Sequence, residues 1–140
     1  MLQVKDIMTN DVFALHAEQT LAMVRSLMDS KHIRHVPIVD TDNGFVGLLT
    51  HRDLLACTVS MLADIGKEEQ DNLDSSISIG NVMRTKVATV NPDTDLREAI
   101  NVLLENKYSC LPVLSNEKLV GIITEADFLK LTLALLRNTD

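Results

Sequence analysis

A chain of 140 residues, 46% of them apolar, can bury the core of one globular domain, which excludes a disordered tail. The formal net charge of −7 repels a phosphate backbone, so sequence-independent nucleic-acid binding is disfavoured unless a local basic patch overrides it. No run of about 18 apolar residues spans a bilayer, and Met1-Leu2-Gln3-Val4-Lys5-Asp6 lacks a signal peptide's basic then apolar run, so a cytoplasmic location is expected.

In chain order, Val12-Phe13-Ala14-Leu15 predicts a short strand. Leu21, Val24 and Met28 then recur at helical spacing before Lys31 and His32, predicting a helix with one buried face. Val36-Pro37-Ile38-Val39 and Phe45-Val46-Gly47-Leu48-Leu49 flank residues 40–44, where Asn43-Gly44 signals a tight turn. Runs apolar throughout imply strands covered on both faces. A closing helix follows, with Leu54, Leu55, Val59, Met61 and Leu62 as its apolar residues. Segment 67–76 is polar, acidic and without periodicity, and reads as a linker.

After the linker the pattern returns. An offset of 75 carries Met8 onto Met83, Val12 onto Val87, Leu21 onto Leu96 and Pro37 onto Pro112. With one residue dropped in a turn, an offset of 74 carries Gly47, Thr50 and Asp53 onto Gly121, Thr124 and Asp127. The second helix shows its stripe cleanly as Leu96, Ala99, Ile100, Leu103 and Leu104. Leu111 to Leu114 and Leu119 to Ile123 follow as strands across residues 115–118, and Phe128, Leu129, Leu131, Leu133, Leu135 and Leu136 line the last helix. A long period present twice suits two stacked copies of one unit better than an open solenoid. The expected fold is α/β (α+β): two pseudo-symmetric β-α-β-β-α repeats, 1–64 and 79–140, joined by an acidic linker over 65–78 and packed together with two related clefts between them.

Pro37 and Pro112 cannot donate to a ladder, so each is expected at a strand's start or edge, leaving the backbone just before it free to meet a ligand. Cys57 and Cys110 fit no Cys-x-x-Cys spacing and read as reduced packing residues. Met8, Met23, Met28, Met61 and Met83 read as core filling. His32 and His35 have no Cys, Asp or Glu at ligand spacing beside them, so no metal site is expected.

Two hydrophobic-Pro-hydrophobic strands, Val36-Pro37-Ile38 and Leu111-Pro112-Val113, are followed by Gly47-Leu48-Leu49-Thr50-His51-Arg52-Asp53 and Gly121-Ile122-Ile123-Thr124-Glu125-Ala126-Asp127. This doubled pattern resembles cystathionine-beta-synthase (CBS) domains paired as a Bateman module, from about Val4 to about Leu136. The resemblance implies regulatory binding of AMP, ADP, ATP or S-adenosylmethionine in the clefts. It implies one cleft built from Thr9, Val12, Ile33, Arg34, His35, Val36, Pro37, Thr124 and Asp127. A second would take Thr50, His51, Arg52, Asp53, Thr85, Val87, Tyr108, Ser109, Leu111 and Pro112.

These residue types suit the ligand. Thr50 and Thr124 stand where a strand turns into a helix, whose N-terminal N–H groups attract phosphate. An Asp three positions on can accept from both ribose hydroxyls, while Val12, Ile33, Val87 and Tyr108 can sandwich a purine and pre-proline backbone reads its edge. Taken singly, each Thr-x-x-Asp is equally a helix-capping motif, and one residue can hold both roles. The copies also differ: Lys31, His32, Arg34 and His35 make the first pre-proline segment basic, whereas Asn106, Lys107, Tyr108 and Ser109 occupy the second, and Glu125 replaces His51. The cleft that receives Arg34 is expected to favour phosphorylated ligands.

No Gly-rich phosphate loop, nucleophile with a base or metal quartet supports an enzyme. The leading reading is a nucleotide-sensing module that alters an unidentified regulated partner; the alternative is an unliganded structural adaptor with vestigial clefts. The closing helices carry more apolar surface than one sheet layer covers, and the resemblance implies a homodimer through them.

Overall fold

The computed structural model of the protein describes residues 1–57 and 66–139. The expected apolar positions Val59, Met61 and Leu62 lie outside the described residues. The elements in order are α1 (Val4–Ile7), α2 (Leu21–Lys31), β1 (His35–Val39), β2 (Phe45–Thr50), α3 (His51–Ala56), α4 (Lys67–Ser76), a 3-10 turn (Ile79–Asn81), α5 (Leu96–Asn106), β3 (Cys110–Ser115), β4 (Lys118–Thr124) and α6 (Glu125–Arg137). They form two compact units, residues 13–86 and residues 1–12 with 87–140. Sequence repeat and structural unit therefore differ: the arm that leads each repeat packs in the unit of the other.

In the 13–86 unit, β1 and β2 pair antiparallel, with Pro37 opposite Leu48 and His35 opposite Thr50. The core joins Leu21, Val24 and Met28 of α2 to Val36, Ile38, Leu49 and Leu54, and Ile79 closes it. In the other unit, β3 and β4 repeat the register, with Pro112 opposite Ile122 and Cys110 opposite Thr124. Leu96, Ala99 and Leu103 of α5 pack there on Leu111, Val113 and Ile123, and Val4 fills the place that Ile79 fills in its counterpart. Each buried aliphatic side chain of this kind contributes roughly 1.5–3 kcal/mol.

The expected first strands shrink to one residue each. Leu15 donates to Pro37 O (3.1 Å) and accepts from Val39 N (2.9 Å), while Val90 donates to Pro112 O (3.1 Å) and accepts from Leu114 N (2.8 Å). Phe13 is exposed and the Val12 N–H turns back onto Asn10 O, so the ladder stops at Leu15. Both proline strands are edges of two-stranded sheets, as one of the two expected placements has it, and the prolines sit third in them rather than first. Each turns its nitrogen toward that one-residue bridge, where its carbonyl is used and no further donor is needed.

Segment 67–76, expected to be an aperiodic linker, is a helix. It docks on α2 through polar groups: Arg25 Nε donates to Asp74 Oδ2 (2.6 Å), and Gln70 Nε2 donates to Asp74 Oδ1 (2.8 Å). Asp74 and Gln70 are both buried. The methionine expectation needs a correction as well, since Met23 is exposed on α2 while Met28 is buried. Met61 lies outside the described residues. Cys57 and Cys110 are unpaired, and burial pushes the Cys110 thiol up to about 12.

Candidate functional site

In both units the Gly-hydrophobic-hydrophobic-Thr-x-x-Asp motif places its chemistry by the same route. Gly47 lies where an added Cβ would meet Met83 Sδ at 2.7 Å and Arg84 O at 3.0 Å; Gly121 lies likewise against Met8 Sδ (2.8 Å) and Thr9 O (3.0 Å). The missing side chain lets the leading arm cross β2 or β4, where Leu48 and Arg84 exchange backbone hydrogen bonds of 2.9 Å each, as Thr9 and Ile122 do at 2.9 and 3.0 Å. That crossing sets residue 84 or residue 9 against the motif's aspartate.

Both motifs form reciprocal capping boxes at the start of α3 and α6. Asp53 N donates to Thr50 Oγ1 (3.2 Å), and Thr50 N and Oγ1 donate to Asp53 Oδ2 (3.0 and 2.9 Å). The other oxygen, Oδ1, receives Arg84 Nε at 2.8 Å and Nη2 at 2.7 Å. In the second motif, Thr124 N and Oγ1 donate to Asp127 Oδ2 (2.9 and 3.4 Å), and Thr9 Oγ1 donates to Oδ1 at 3.3 Å. Burial alone would raise the Asp53 carboxyl, but the Arg84 guanidinium and the Thr50 donors outweigh it and hold it below the usual carboxylate range.

The leading arms are expected to contribute Thr9 and Thr85. Thr9 does reach Asp127, but in the other unit the residue on the aspartate is Arg84, one position before Thr85. Arg84 is the residue the sequence reading missed. The offset of 75 puts Arg84 opposite Thr9 and was the signal that could have found it.

The pre-proline backbone is less open than expected. Arg34 O accepts from His51 N (2.8 Å), and Ser109 O accepts from Glu125 N (3.2 Å), so each strand end is stitched to the first N–H of its own closing helix. With Asp53 N also committed to Thr50, those N–H groups are not on offer to a phosphate. The side chains of Val36, Pro37, Leu111 and Pro112 are buried in the cores, which leaves only their backbone for recognition. Arg34, Arg52, Thr85, Tyr108 and Ser109 are exposed, and Val12, Ile33, His35, His51 and Val87 are half-buried. Thr9, Val12, Val87, Tyr108, Ser109, Thr124 and Asp127 belong to the unit of 1–12 and 87–140, and Ile33, Arg34, His35, Thr50, His51, Arg52, Asp53 and Thr85 to 13–86. Lys31 of the basic segment sits over the Phe13 ring at 5.3 Å. Among the described residues no group of three or more His, Cys, Asp or Glu is arranged to hold a metal ion.

Duplicated hairpins, each with a Gly-dependent arm crossing and a Thr–Asp box at the head of a closing helix, define a tandem pair of small α/β repeats. The family model for the CBS domain matches residues 4–59 and 79–134, and the chain belongs to the CBS domain family as a tandem pair. It is 25% identical over 134 residues to a CBS domain-containing protein of Dictyostelium discoideum, covering 95% of this chain and 92% of that protein. It is 27% identical to inosine-5'-monophosphate dehydrogenase of Methanocaldococcus jannaschii, but spans only 22% of that enzyme. A Vibrio cholerae protein named for acetoin utilization matches in structure with a TM-score of 0.81 and 36% identity, covering 98% of this chain and 94% of that one. CBSX2, solved in complex with AMP, matches with a TM-score of 0.81 and 24% identity over 96% of this chain and 98% of its own. The CBS domain pair of protein MJ0100, solved with 5'-methylthioadenosine and S-adenosyl-L-methionine, matches at 0.77 and 22%, covering 94% and 96%. At those last two identities the likeness establishes the fold alone.

Proposed function

We propose that this chain is a non-catalytic regulatory module that binds an adenosine-containing ligand (AMP, ADP, ATP or S-adenosylmethionine) and signals adenine-nucleotide level to a partner protein by ligand-dependent change of shape. The observation that carries the reading is the Thr–Asp box, built twice with a carboxyl group at a helix head beside exposed polar residues. Asp53 and Asp127 are assigned the ribose diol, with Thr50 and Thr124 beside them. The purine is assigned to Val12 and Ile33 with Asp127, and to Val87 and Tyr108 with Asp53. The pre-proline backbone at Arg34-His35-Val36-Pro37 and Ser109-Cys110-Leu111-Pro112 completes the respective clefts, and His51, Arg52 and Thr85 join the second. Ligands seen on CBSX2 and on the MJ0100 pair support the ligand class.

The two sites are unequal in this reading. Arg34 faces phosphate in the Asp127 site, and Asp127 Oδ1 carries one long hydrogen bond where Asp53 Oδ1 carries two short ones. The Asp127 site is therefore the tighter. Four exposed leucines on α6 support a homodimer through the closing helices. A cytoplasmic location fits the unpaired cysteines.

Mass spectrometry of small molecules that copurify with the protein, followed by a thermal-shift screen, tests the reading. A ligand that binds only the folded chain raises its melting temperature, and AMP at a hundredfold excess over Kd adds about 2.7 kcal/mol. No shift with any adenosine compound would leave the structural adaptor as the function.

A further inference from the structure

Asp53 has no acceptor capacity left. A carboxylate offers about four lone-pair positions, and here two N–H groups of Arg84 converge on Oδ1 while the amide and hydroxyl of Thr50 occupy Oδ2. A ribose diol needs to donate to that same carboxylate, so it cannot bind until Arg84 leaves. The Arg84 side chain is 58% exposed and Asp53 only 12%, so the guanidinium is the partner that an incoming anion can reach. Thr9, at the corresponding place in the other unit, is uncharged and its hydroxyl makes a 3.3 Å contact, so among the described residues nothing comparable guards Asp127.

We propose that Arg84 is a specificity gate: it holds Asp53 closed against neutral nucleosides, and an anionic 5'-substituent opens the site by drawing the guanidinium off the carboxylate. The ligand class is thus a nucleotide rather than a nucleoside. This rests on the adenosine reading of the Thr50–Asp53 motif and adds the discrimination that the motif itself does not supply. A neutral nucleoside must break the Arg84–Asp53 pair without compensation, whereas a phosphate replaces one charge-assisted contact of Arg84 with another.

The test follows the Thr50 and Asp53 amide NMR signals during titration with AMP and with adenosine, in the full chain and in Arg84→Thr and Arg84→Lys. Arg84→Thr installs the residue found at position 9. The wild type prefers AMP at these signals. In Arg84→Thr adenosine gains and AMP loses, so that the preference falls on the order of fivefold, as loss of an exposed ion pair implies. Arg84→Lys keeps AMP ahead. An AMP-to-adenosine ratio in Arg84→Thr equal to that of the wild type overturns the gate while leaving the adenosine reading intact. Silence of both signals with both ligands in all three proteins overturns the adenosine reading, and the gate with it.

Discussion

Asp53 joins helix capping, an ion pair and the proposed ribose contact in one carboxylate, and its acid–base behaviour reports which of them is in place. Its folded carboxyl lies below the usual range because Arg84 and Thr50 favour the charged form more than burial opposes it. A depressed folded value contributes stability that is fully present above the unfolded carboxyl's ~3.9 and is lost as pH falls through the lower folded value. In Arg84→Ala the Asp53 carboxyl titrates at higher pH by NMR, and the variant's stability deficit at pH 7 disappears in acid below both values. Because Arg84 is largely exposed, that deficit stays within about 1 kcal/mol. An unchanged Asp53 titration would contradict the pairing. At this scale the sequence exposed both Thr–Asp boxes, because their spacing is local. It hid Arg84, because the contact spans 31 positions and depends on the arm crossing at Gly47.

Among the elements, the hairpins and α2 and α5 were legible because their apolar residues recur at strand or helical spacing and do fill the cores. Helix α4 was not. Its docked face is made by Gln70 and Asp74, four residues apart and polar, so a search for apolar periodicity passes over it. The first strands failed for the opposite reason: Val12 and Phe13 are apolar, but only Leu15 finds a ladder partner. The α4 dock depends on one buried carboxylate satisfied by Arg25 and Gln70. Asp74→Ala removes the buried acceptor to which both Arg25 and Gln70 donate and costs roughly 1–3 kcal/mol. Hydrogen exchange then shows 67–76 losing protection while β1 and β2 keep theirs. Equal protection of 67–76 in the variant would mean that the helix is held by something other than this cluster.

For the whole molecule, the duplication predicts paired units, and the structure adds that each unit borrows its leading arm from the other repeat. That exchange was invisible in the pattern, since Val4 and Ile79 are equivalent in sequence whichever core they enter. The α6 surface exposes Leu129 at 70%, Leu133 at 49%, Leu135 at 55% and Leu136 at 59%, which is costly for a helix left in water. Light scattering on the eluted protein is expected to give twice the chain mass, and Leu129→Glu with Leu133→Glu to give the monomer. A wild-type monomer would remove the homodimer from the proposed function.

The most direct measurement is titration calorimetry with AMP on the wild type and on Asp53→Ala, Asp127→Ala and the double variant, each first shown to melt cooperatively. The account predicts two unequal sites, loss of the tighter one in Asp127→Ala, loss of the weaker one in Asp53→Ala, and no binding in the double variant. AMP binding by the double variant as tight as by the wild type would contradict it.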